Sequence, residues 1–351
     1  MKKILKILRN VLIALLAVVL LAFVYIVSNE YNPPAVEELE IAHKGDTAYL
    51  QEGQSLSVLS WNIGYCGLGE GSDFFMDGGE NVKSADEATV MKYMLGVKEY
   101  LDRENPDLIM LQEVDTDSAR TYHIDQTASL ALGESAHALN YSCVFVPIPV
   151  PPIGQVNSGL FTTTDLAVSQ AERISLPCPF KWPVSTANLK RCLLVTYLPI
   201  EDSSKQLVLV NLHLEAYDDG EGKIAQTKQL REFIECEYEK GNYVIAGGDF
   251  NQIFPGGLDA FPNEHPELWS PGILDDSVLP GEGWQFAYDL ETPSCRLLNQ
   301  PYNPADIENT QHYVIDGFIL SPNVQLESVT CTDLGFKNSD HNPVMMRVVL
   351  R

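Results

Sequence analysis

The stretch VIAGGDFNQI, residues 244–253, contains the feature on which the fold prediction rests. Its apolar start, residues 244–246, is typical of a buried strand, and two glycines and then Asp249 and Asn251 follow it. In an extended chain, side chains two residues apart point to the same side, so the carboxylate and the carboxamide would face one spot at a sheet edge. A turn is the alternative, because Gly, Asp and Asn are the ordinary residues of turns.

Similar short apolar runs recur from Leu56 to the end of the chain, and two segments between them have helical spacing. The apolar stripe of the first segment consists of Val90, Met94, Val97 and Leu101, after a capping pattern formed by Ser84 and Glu87. The looser stripe of the second consists of Ile224, Leu230, Phe233, Ile234 and Tyr238, and Gly241 suits its end. Strands that outnumber helices predict an α+β fold, in which two sheets pack face to face and helices cover the outer faces.

The N-terminus predicts a membrane anchor. Four basic residues precede eighteen uncharged residues, VLIALLAVVLLAFVYIVS, and that length can span a bilayer. The basic flank favours a cytoplasmic N-terminus, so the rest of the chain is expected outside the cytoplasm, held by a single pass at the cell membrane. A cleaved signal peptide is the alternative, but its apolar region is normally shorter and ends in an A-x-A-like site that FVYIVSNEY lacks.

The organisation of the chain follows from this anchor. We expect a transmembrane segment over residues 1–28, a linker over residues 29–54, and one large domain over residues 55–351. The linker prediction rests on a polar, acidic and Pro-containing composition.

The chain is strongly acidic. It carries 23 Lys and Arg against 48 Asp and Glu, a formal net charge of −25 at pH 7. Because the four basic residues near the start belong to the anchor, the exported part is more acidic still. A protein that binds nucleic acid along its phosphates is expected to be basic, so this composition disfavours a nucleic-acid partner. A small substrate, or one whose approach is managed locally, fits better.

Polar residues recur at the ends of the apolar runs. They are Asn62, Glu113, His213, Asp249, Asn251, Asp316, Asp340 and His341. Each alone has an ordinary explanation, such as a turn or a solvent-facing edge, but the whole set does not. Several carboxylates in one cleft would repel one another and lose hydration unless a cation neutralised them. Oxygen ligands without a cysteine set predict Mg²⁺, with Mn²⁺ as a substitute, rather than zinc.

The order of these motifs resembles that of the endonuclease/exonuclease/phosphatase superfamily. The matching pieces, in chain order, are SWNIG, LQEV, NSGLFT, NLHL, GGDFN, VIDGFILS and SDHNPV. The resemblance implies a four-layered α/β/β/α sandwich of two mainly antiparallel sheets, with the active site at one end of the paired sheets. It also implies a metal-dependent hydrolase in which an activated water attacks a phosphoester, most naturally a phosphodiester, and makes residues 55–351 the catalytic domain.

The resemblance assigns roles to the metal-side and water-side residues. Glu113 is implied as the principal metal ligand, with Asn62 beside it on the metal or on a phosphate oxygen. Asp340 is implied to complete the metal or histidine shell. Asp249 is implied to orient or deprotonate the attacking water, and Asn251 to hold that water or a phosphate oxygen.

The resemblance also assigns roles to the two histidines. His341, paired with Asp316, is implied to contact the phosphate and stabilise its developing charge. His213 is implied to act similarly from the other side and to be a candidate for protonating the leaving oxygen. Adjacent residues in an extended chain point to opposite sides, so Asp316 rather than Asp340 is the expected partner of His341.

The chain departs from several branches of the superfamily. Inositol 5-phosphatases carry a Trp-Cys-Asp-Arg signature where this chain has YVIDGFIL. The acidic charge and the anchor argue against the apurinic-site endonucleases. The bacterial sphingomyelinase branch fits an exported location, although the sequence shows no obvious aromatic hairpin for lipid insertion. The expected substrate is therefore a phosphoester that is a lipid or a small molecule, and a monomer is expected.

The long insert over residues 254–311 is the natural place for substrate recognition, since loops on a rigid scaffold carry variable specificity. Arg296 within the insert and Arg120 after the Glu113 strand are the candidate substrate-binding cations. A surface salt bridge is the alternative for Arg296. Core packing is the alternative for the aromatic residues of the insert, including Trp269.

Three hypotheses follow. The first is a membrane-anchored, Mg²⁺-dependent phosphohydrolase. The second is an exported nuclease acting on DNA or RNA, which would need a local basic groove. The third is a catalytically inactive surface module that uses the sandwich for binding. Such a module is expected to have lost one or more of the site residues, and all are present in the sequence.

Overall fold

The computed structural model describes residues 2–43, 47–83, 85–218, 220–305 and 310–351. The helices are α1 Lys2–Ser28, α2 Glu87–Glu104, α3 Gln126–Leu130, α4 Glu221–Glu239 and α5 Gly257–Ala260. The strands are β1 Val36–Glu38, β2 Ser55–Asn62, β3 Leu108–Asp115, β4 Glu134–Val146, β5 Gly154–Thr164, β6 Gln170–Ser175, β7 Cys192–Pro199, β8 Gln206–His213, β9 Tyr243–Asp249, β10 Gln252–Ile253, β11 Gly272–Ile273, β12 Gln285–Ala287, β13 Cys295–Arg296, β14 His312–Tyr313, β15 Asp316–Leu320, β16 Val324–Cys331 and β17 Val344–Leu350.

Most of these strands form two large sheets. A seven-stranded sheet has the order β1-β6-β7-β8-β9-β15-β12, and a six-stranded sheet has the order β16-β17-β2-β3-β5-β4. Strands β2 and β3 pair in parallel, as do β8 and β9, and the other pairings in these sheets are antiparallel. The prediction of two mainly antiparallel sheets is confirmed.

The buried clusters show four layers. Between the sheets, one cluster includes Met110 of β3 and Phe318 of β15. On the outer face of the six-stranded sheet, α2 packs Val97 against apolar side chains of β2 and β3. On the outer face of the seven-stranded sheet, α4 packs Leu230 in the same way. Each such side chain, fully removed from water, contributes about 1.5–3 kcal/mol, so the sandwich is held from both faces of both sheets.

The two predicted apolar stripes differ in how completely they are buried. All four residues of the predicted α2 stripe are buried. In α4, Leu230 and Ile234 are buried, but Ile224 is 70% exposed. At 3.6 residues per turn, Ile224 lies about 120° around the helix from Leu230, so it falls outside the buried face.

The helix ends follow local chemistry. Asp86 caps α2, and its side chain accepts a hydrogen bond from the Thr89 backbone N–H at 2.8 Å. Ser84, the predicted capping residue, lies outside the described residues. After α4, Gly241 has φ +90°, the left-handed conformation of a helix stop, as predicted.

Most of the N-terminal helix α1 stands apart from the sheets, and only its last turns contact the domain. Its most apolar window has a mean hydropathy of 3.1 and buries none of its residues against the rest of the chain. The helix is long and apolar enough to cross a membrane, a property shared by anchors and signal sequences.

The segment predicted as a linker packs against the domain instead of hanging free. Strand β1 pairs with β6, so residues 36–38 extend the seven-stranded sheet at its edge. Ala42 bridges to Ser135 and Leu50 bridges to Ile200. The segment is polar and proline-containing overall, but it also has alternate apolar residues. Two of them, Leu39 and Ile41, are half-buried against the domain. Most of residues 29–54 is therefore part of the folded unit.

The two glycines of the opening stretch have separate steric reasons. A Cβ on Gly247 would lie 2.3 Å from the Phe318 ring, which packs across from β15. Gly248 has φ +145°, and a Cβ there would lie 1.9 Å from the Leu212 carbonyl oxygen of β8. β9 can therefore sit between β8 and β15 only if these two positions lack side chains.

We expect Gly248→Ala to destabilise the protein by about 2–4 kcal/mol, because both the backbone conformation and the space exclude a methyl group. Urea unfolding of the detergent-solubilised chain, followed by circular dichroism, measures the change. Gly281→Ala is the matched control, since a Cβ there meets nothing within 4 Å. Equal unfolding midpoints for the two variants would contradict the steric explanation.

Candidate active site

Strand pairing brings three of the polar residues to one edge of the seven-stranded sheet. Asp249 at the end of β9 lies opposite His213 of the parallel neighbour β8. It also lies opposite Asp316, the first residue of the antiparallel neighbour β15. Three residues that are far apart in sequence therefore meet because β9 is flanked by one parallel and one antiparallel strand.

The six-stranded sheet contributes Asn62 at the end of β2 and Glu113 near the end of β3. Glu113 has φ +55°, and the register of β3 shifts between Leu111 and Val114. Leu111 and Val114 both pack on the outer face, so the extra residue is a β-bulge. The bulge turns Glu113 away from the outer face, where simple alternation would place it, and into the cavity, which it lines.

Asn62 joins the two sheets through its amide group. Its Nδ2 donates to Glu113 Oε1 at 3.1 Å and to Asp249 Oδ2 at 3.0 Å. The Gly64 backbone N–H donates to Asn62 Oδ1 at 3.0 Å, which fixes the orientation of the amide. Because the amide presents donors to the site, the geometry supports contact with a phosphate oxygen, the second of the two roles expected for Asn62.

His341 pairs with Asp316, as the strand alternation predicted. His341 Nδ1 lies 2.8 Å from Asp316 Oδ2, and Ser294 Oγ donates to the same oxygen at 2.8 Å. The other ring nitrogen, Nε2, lies 3.7 Å from Asp249 Oδ2 and 3.9 Å from Asp340 Oδ2. The carboxylate of Asp316 therefore holds the ring so that Nε2 faces the remaining acids.

Asn251 reaches the site through a turn and not by strand alternation. Strand β9 ends at Asp249, and Asn251 has φ +50°. Its backbone N–H donates to Asp249 Oδ1 at 2.8 Å, while its Nδ2 donates to the Leu214 carbonyl at 2.9 Å. The two interpretations of residues 244–253, polar groups that meet at one spot and a turn, are thus each partly correct. A turn follows the strand, and it brings Asp249 and Asn251 to one cavity.

The ionisable groups of the site have shifted pKa values. Burial lowers the pKa of His341, but the adjacent Asp316 carboxylate outweighs it and raises that pKa well above the usual value. For His213, burial and the nearby Arg191 charge lower the pKa well below the usual value. Burial raises the pKa of Asp340 to about 6 and also raises that of Asp249. The two histidines therefore favour opposite protonation states.

The donor set fits a metal ion. Asp249, Asp316 and His341 offer ligand atoms that lie within 4.8 Å of one another. Asp316 Oδ1 is buried without a hydrogen-bond partner. Glu113 is close enough to Asp340 for its negative charge to raise the pKa of Asp340. Buried carboxylate oxygens that lack neutralising partners are the environment in which a hard divalent cation binds.

These residues line a cavity of about 510 Å³ at one end of the sandwich. The cavity is lined by the residues predicted to be catalytic, Asp249, Asn251, His213 and His341, and by the acids Glu113 and Asp340. Asn62 and Asp316 support them through the hydrogen bonds described above. The insert over residues 254–311 contributes Trp269 and Leu298 to the wall, in keeping with the recognition role expected of it.

Arg120 lies in the cavity wall, where the sequence analysis expected a substrate cation. Its guanidinium makes two hydrogen bonds to Asp115, at 2.9 and 2.8 Å, and stacks 3.6 Å from the centre of the Tyr65 ring. Its side chain is 14% exposed. It is thus a fixed positive group beside the cavity, with its charge partly balanced.

Arg191 is a second cation of the cavity that the sequence analysis missed. It is 2% exposed, its Nε lies 3.6 Å from Glu215 Oε2, and it donates to the His213 carbonyl at 3.3 Å. Arg191 immediately precedes β7, whose start lies beside the end of β8 in the antiparallel pairing. The sequence KRCLLV would have predicted a cavity position for Arg191 only if the pairing of β7 with β8 had been known.

Within the described part of the chain, Arg296 forms no surface salt bridge, and its terminal N–H groups are engaged by the backbone. The residue is 1% exposed, and its two terminal nitrogens donate to the carbonyls of Gly69, Ser72, Leu297 and Gln300 at 3.0–3.3 Å. It therefore joins the loop after β2 to the insert. Arg296 also lines the cavity, and its Nε has no hydrogen-bond partner among the described residues. The backbone contacts of its terminal nitrogens support a structural role.

We expect Arg296→Lys to destabilise the protein by about 2–4 kcal/mol, because one ammonium cannot reach four carbonyls held by a planar guanidinium. Thermal unfolding measures the loss. Arg103→Lys is the control, since Arg103 pairs with Glu104 at the surface and its side chain is 61% exposed. A substitution at Arg296 as mild as the one at Arg103 would argue against the structural role.

Comparison with known proteins agrees with this architecture. The sequence matches the Endonuclease/Exonuclease/phosphatase family over residues 59–341. No curated protein matches the chain. An endonuclease/exonuclease/phosphatase from Beutenbergia cavernae DSM 12333 is 15% identical at a TM-score of 0.55, and the match covers 85% of this chain and 72% of that one. A family protein from Bacteroides thetaiotaomicron is 15% identical at a TM-score of 0.53, covering 86% and 99% of the two chains. The human Nocturnin catalytic domain is 17% identical at a TM-score of 0.50, covering 89% and 97%. Because the family match covers most of the sequence, the chain belongs to the endonuclease/exonuclease/phosphatase family.

Proposed function

We propose that the protein is a membrane-anchored, Mg²⁺-dependent hydrolase that cleaves a phosphodiester outside the cytoplasm. Metal-dependent phosphoester hydrolysis is the activity of the family. The observation that carries the finer proposal is the meeting of His213, Asp249, Asn251 and His341 with Glu113 and Asp340 in one cavity. The apolar helix α1 supports the anchor.

Glu113 and Asp340 would hold the cation. Asp316 Oδ2 and His341 Nδ1 already bond to each other, and we assign that pair to the phosphate and not to the cation. When bound, a divalent cation neutralises the acids and polarises a phosphoryl oxygen. Mn²⁺ is the expected substitute, because it accepts the same oxygen ligands.

Asp249 is positioned to prepare the water. Its Oδ1 is fixed by the Asn251 backbone N–H, and its Oδ2 faces Asn62 Nδ2 at 3.0 Å and His213 Nε2 at 3.4 Å. In hydrolysis, a water oxygen forms a new bond to phosphorus as the bond to the leaving oxygen breaks. One water proton passes to Asp249, and the leaving oxygen takes up a proton from solvent to become an alcohol. The lowered pKa of His213 argues against this histidine as the proton donor expected from the sequence.

His341 is positioned to stabilise the charge that builds on the phosphate. Its Nδ1 is held by Asp316, and Ser294 holds Asp316 in turn. An imidazolium fixed in this way can direct its Nε2–H at a phosphoryl oxygen without rearranging during the reaction. Asn62 and His213 would contact the same group from the other side.

We expect Asp316→Asn to lower kcat by about 100- to 10,000-fold, because a neutral partner no longer holds His341 in its charged form. Steady-state rates on the best soluble substrate measure the loss, with the unfolding midpoint as a check on folding. Asp102→Asn is the control, since Asp102 makes an exposed pair with Lys98 on α2. A wild-type kcat in Asp316→Asn would show that the Asp316–His341 pair has no role in the mechanism.

The overall proposal is tested with the full-length protein in detergent and a substrate panel of bis-p-nitrophenyl phosphate, sphingomyelin, plasmid DNA and inositol phosphates. We expect turnover with Mg²⁺ and none with EDTA. Asp249→Asn and His341→Ala should each abolish turnover and keep the fold, whereas the control His265→Ala should keep both. Wild-type rates in both site variants would refute the assignment. Cleavage of plasmid alone, weakening steeply with salt, would support the exported nuclease, and no turnover of any substrate would support the inactive module.

A further inference from the structure

We propose that the cavity opens at the bilayer surface and takes the phosphoester headgroup of a membrane lipid. This inference rests on the proposed hydrolysis and names its substrate class. Beside the acids and histidines, the same cavity is lined by a group of large apolar side chains, namely Phe74, Phe75, Met76, Ile148, Ile153 and Phe180. A cavity that is polar at the reacting groups and apolar elsewhere fits an amphiphile with a phosphate at one end.

The apolar wall continues onto the outer surface. The loop between β4 and β5, residues 147–153, exposes 70% of Ile148 and 88% of Val150. The loop between β6 and β7, residues 176–191, exposes 61% of Trp182 and 58% of Val184. We call these four residues the apolar lip. A cluster of exposed large apolar groups is unfavourable in water and marks a surface that contacts something apolar.

Helix α1 identifies what the apolar lip contacts. The Phe23 ring packs edge-on against Trp182 of the lip, with ring centres 6.0 Å apart. Ile26 packs against a cluster that contains Val146, just before the first lip loop, and Ile153, the last residue of that loop. The last turns of the membrane-spanning candidate and the lip therefore occupy the same place on the domain.

Polar contacts fix this arrangement just beyond the apolar stretch. Glu30 Oε1 lies 3.0 Å from Lys190 Nζ, and both side chains are only 15% exposed. Thr186 Oγ1 donates to Glu30 Oε2 at 3.3 Å, and Tyr31 donates to the Leu139 carbonyl at 3.4 Å. These contacts fix the end of the helix to the domain, so no flexible linker separates the two.

Helix geometry then gives the depth of the lip. Phe23 lies five residues before Ser28, the end of the apolar stretch, which corresponds to about 7 Å along the helix axis. A ring that touches Phe23 is therefore at the level of the membrane interface when α1 spans the bilayer. Tryptophan is enriched at that level, which fits Trp182.

Charge supports a lipid over a long polyanion. The chain has a net charge of −25, so its surface repels an extended nucleic acid. Inside the cavity wall, Arg120 and Arg191 provide local positive charge for one phosphate group. Hydrolysis of such a lipid consumes one water, breaks one phosphorus–oxygen ester bond and yields an alcohol and a phosphomonoester.

The first test compares two substrates in full-length protein reconstituted with Mg²⁺. The lipid substrate is phosphatidylcholine and phosphatidylglycerol in mixed vesicles, and the soluble substrate is bis-p-nitrophenyl phosphate. The test variant is Val150→Asp/Val184→Asp, whose positions do not line the cavity. The control is Leu95→Asp/Ile224→Asp, whose residues are 53% and 70% exposed on α2 and α4.

We expect the lip variant to lose about 10-fold or more of its rate on vesicles and to keep its soluble rate, because two charges remove the lip from the apolar phase. The control should keep both rates. Equal vesicle rates in the two variants would overturn the inference. So would wild-type turnover of the soluble substrate with none of either lipid, and in that case the proposed hydrolysis itself would stand.

A second measurement needs no activity. Trp61 and Trp284 are buried and Trp269 is half-buried, so Trp182 is the exposed one of the four tryptophans. Brominated phosphatidylcholine in the vesicles should quench tryptophan fluorescence in the wild type, and Trp182→Phe should remove most of that quenching. Wild-type fluorescence that the brominated lipid leaves unchanged would overturn the placement of the lip. Trp269→Phe, which should leave the quenching in place, is the matched control.

Discussion

The candidate site requires Glu113, Asp249 and Asp340 at one cavity and Asp316 beside it, and bringing these four carboxylates together is electrostatically unfavourable. Two unit charges about 4 Å apart repel by about 4 kcal/mol at an effective dielectric constant of about 20. The chain offsets part of this through His341, which lies between Asp316 and Asp249, and through the amide donors of Asn62. The rest calls for a cation from solution, which explains why a family built on this arrangement depends on divalent metals.

The same cavity requires the two sheets to stay in register, because each supplies half of the reacting groups. A buried polar contact just below the site serves this purpose. Gln112 of β3 donates to Asn211 Oδ1 of β8 at 2.8 Å, and Asn211 donates in turn to the carbonyls of Leu111 and Phe161. Hydrogen bonds of this kind have directional requirements that apolar packing lacks, so they fix how far one sheet can slide over the other.

The sequence predicted the sandwich because strand periodicity and motif order are local signals. It also predicted the Asp316–His341 pair, which the family resemblance implies and the alternation argument supports. It could not predict which groups face the cavity where the backbone breaks that rule. Glu113 enters through a bulge, Asn251 through a turn, and Arg191 through the pairing of β7 with β8. The sequence also did not predict that residues 36–42 and 48–50 pack against the domain, because edge-strand pairing depends on a partner far away in the chain.

The left-handed backbone at Glu113 and Asn251 has an evolutionary consequence. Neither residue is glycine, and each holds a conformation that costs on the order of 1 kcal/mol. Natural drift towards a more robust chain would therefore favour glycine at these positions or deletion of the bulge. Either change would dismantle the reacting centre while improving the scaffold. Under the proposed mechanism, a homologue with glycine at position 113 would lack the metal ligand and would be a pseudoenzyme, however well it folds.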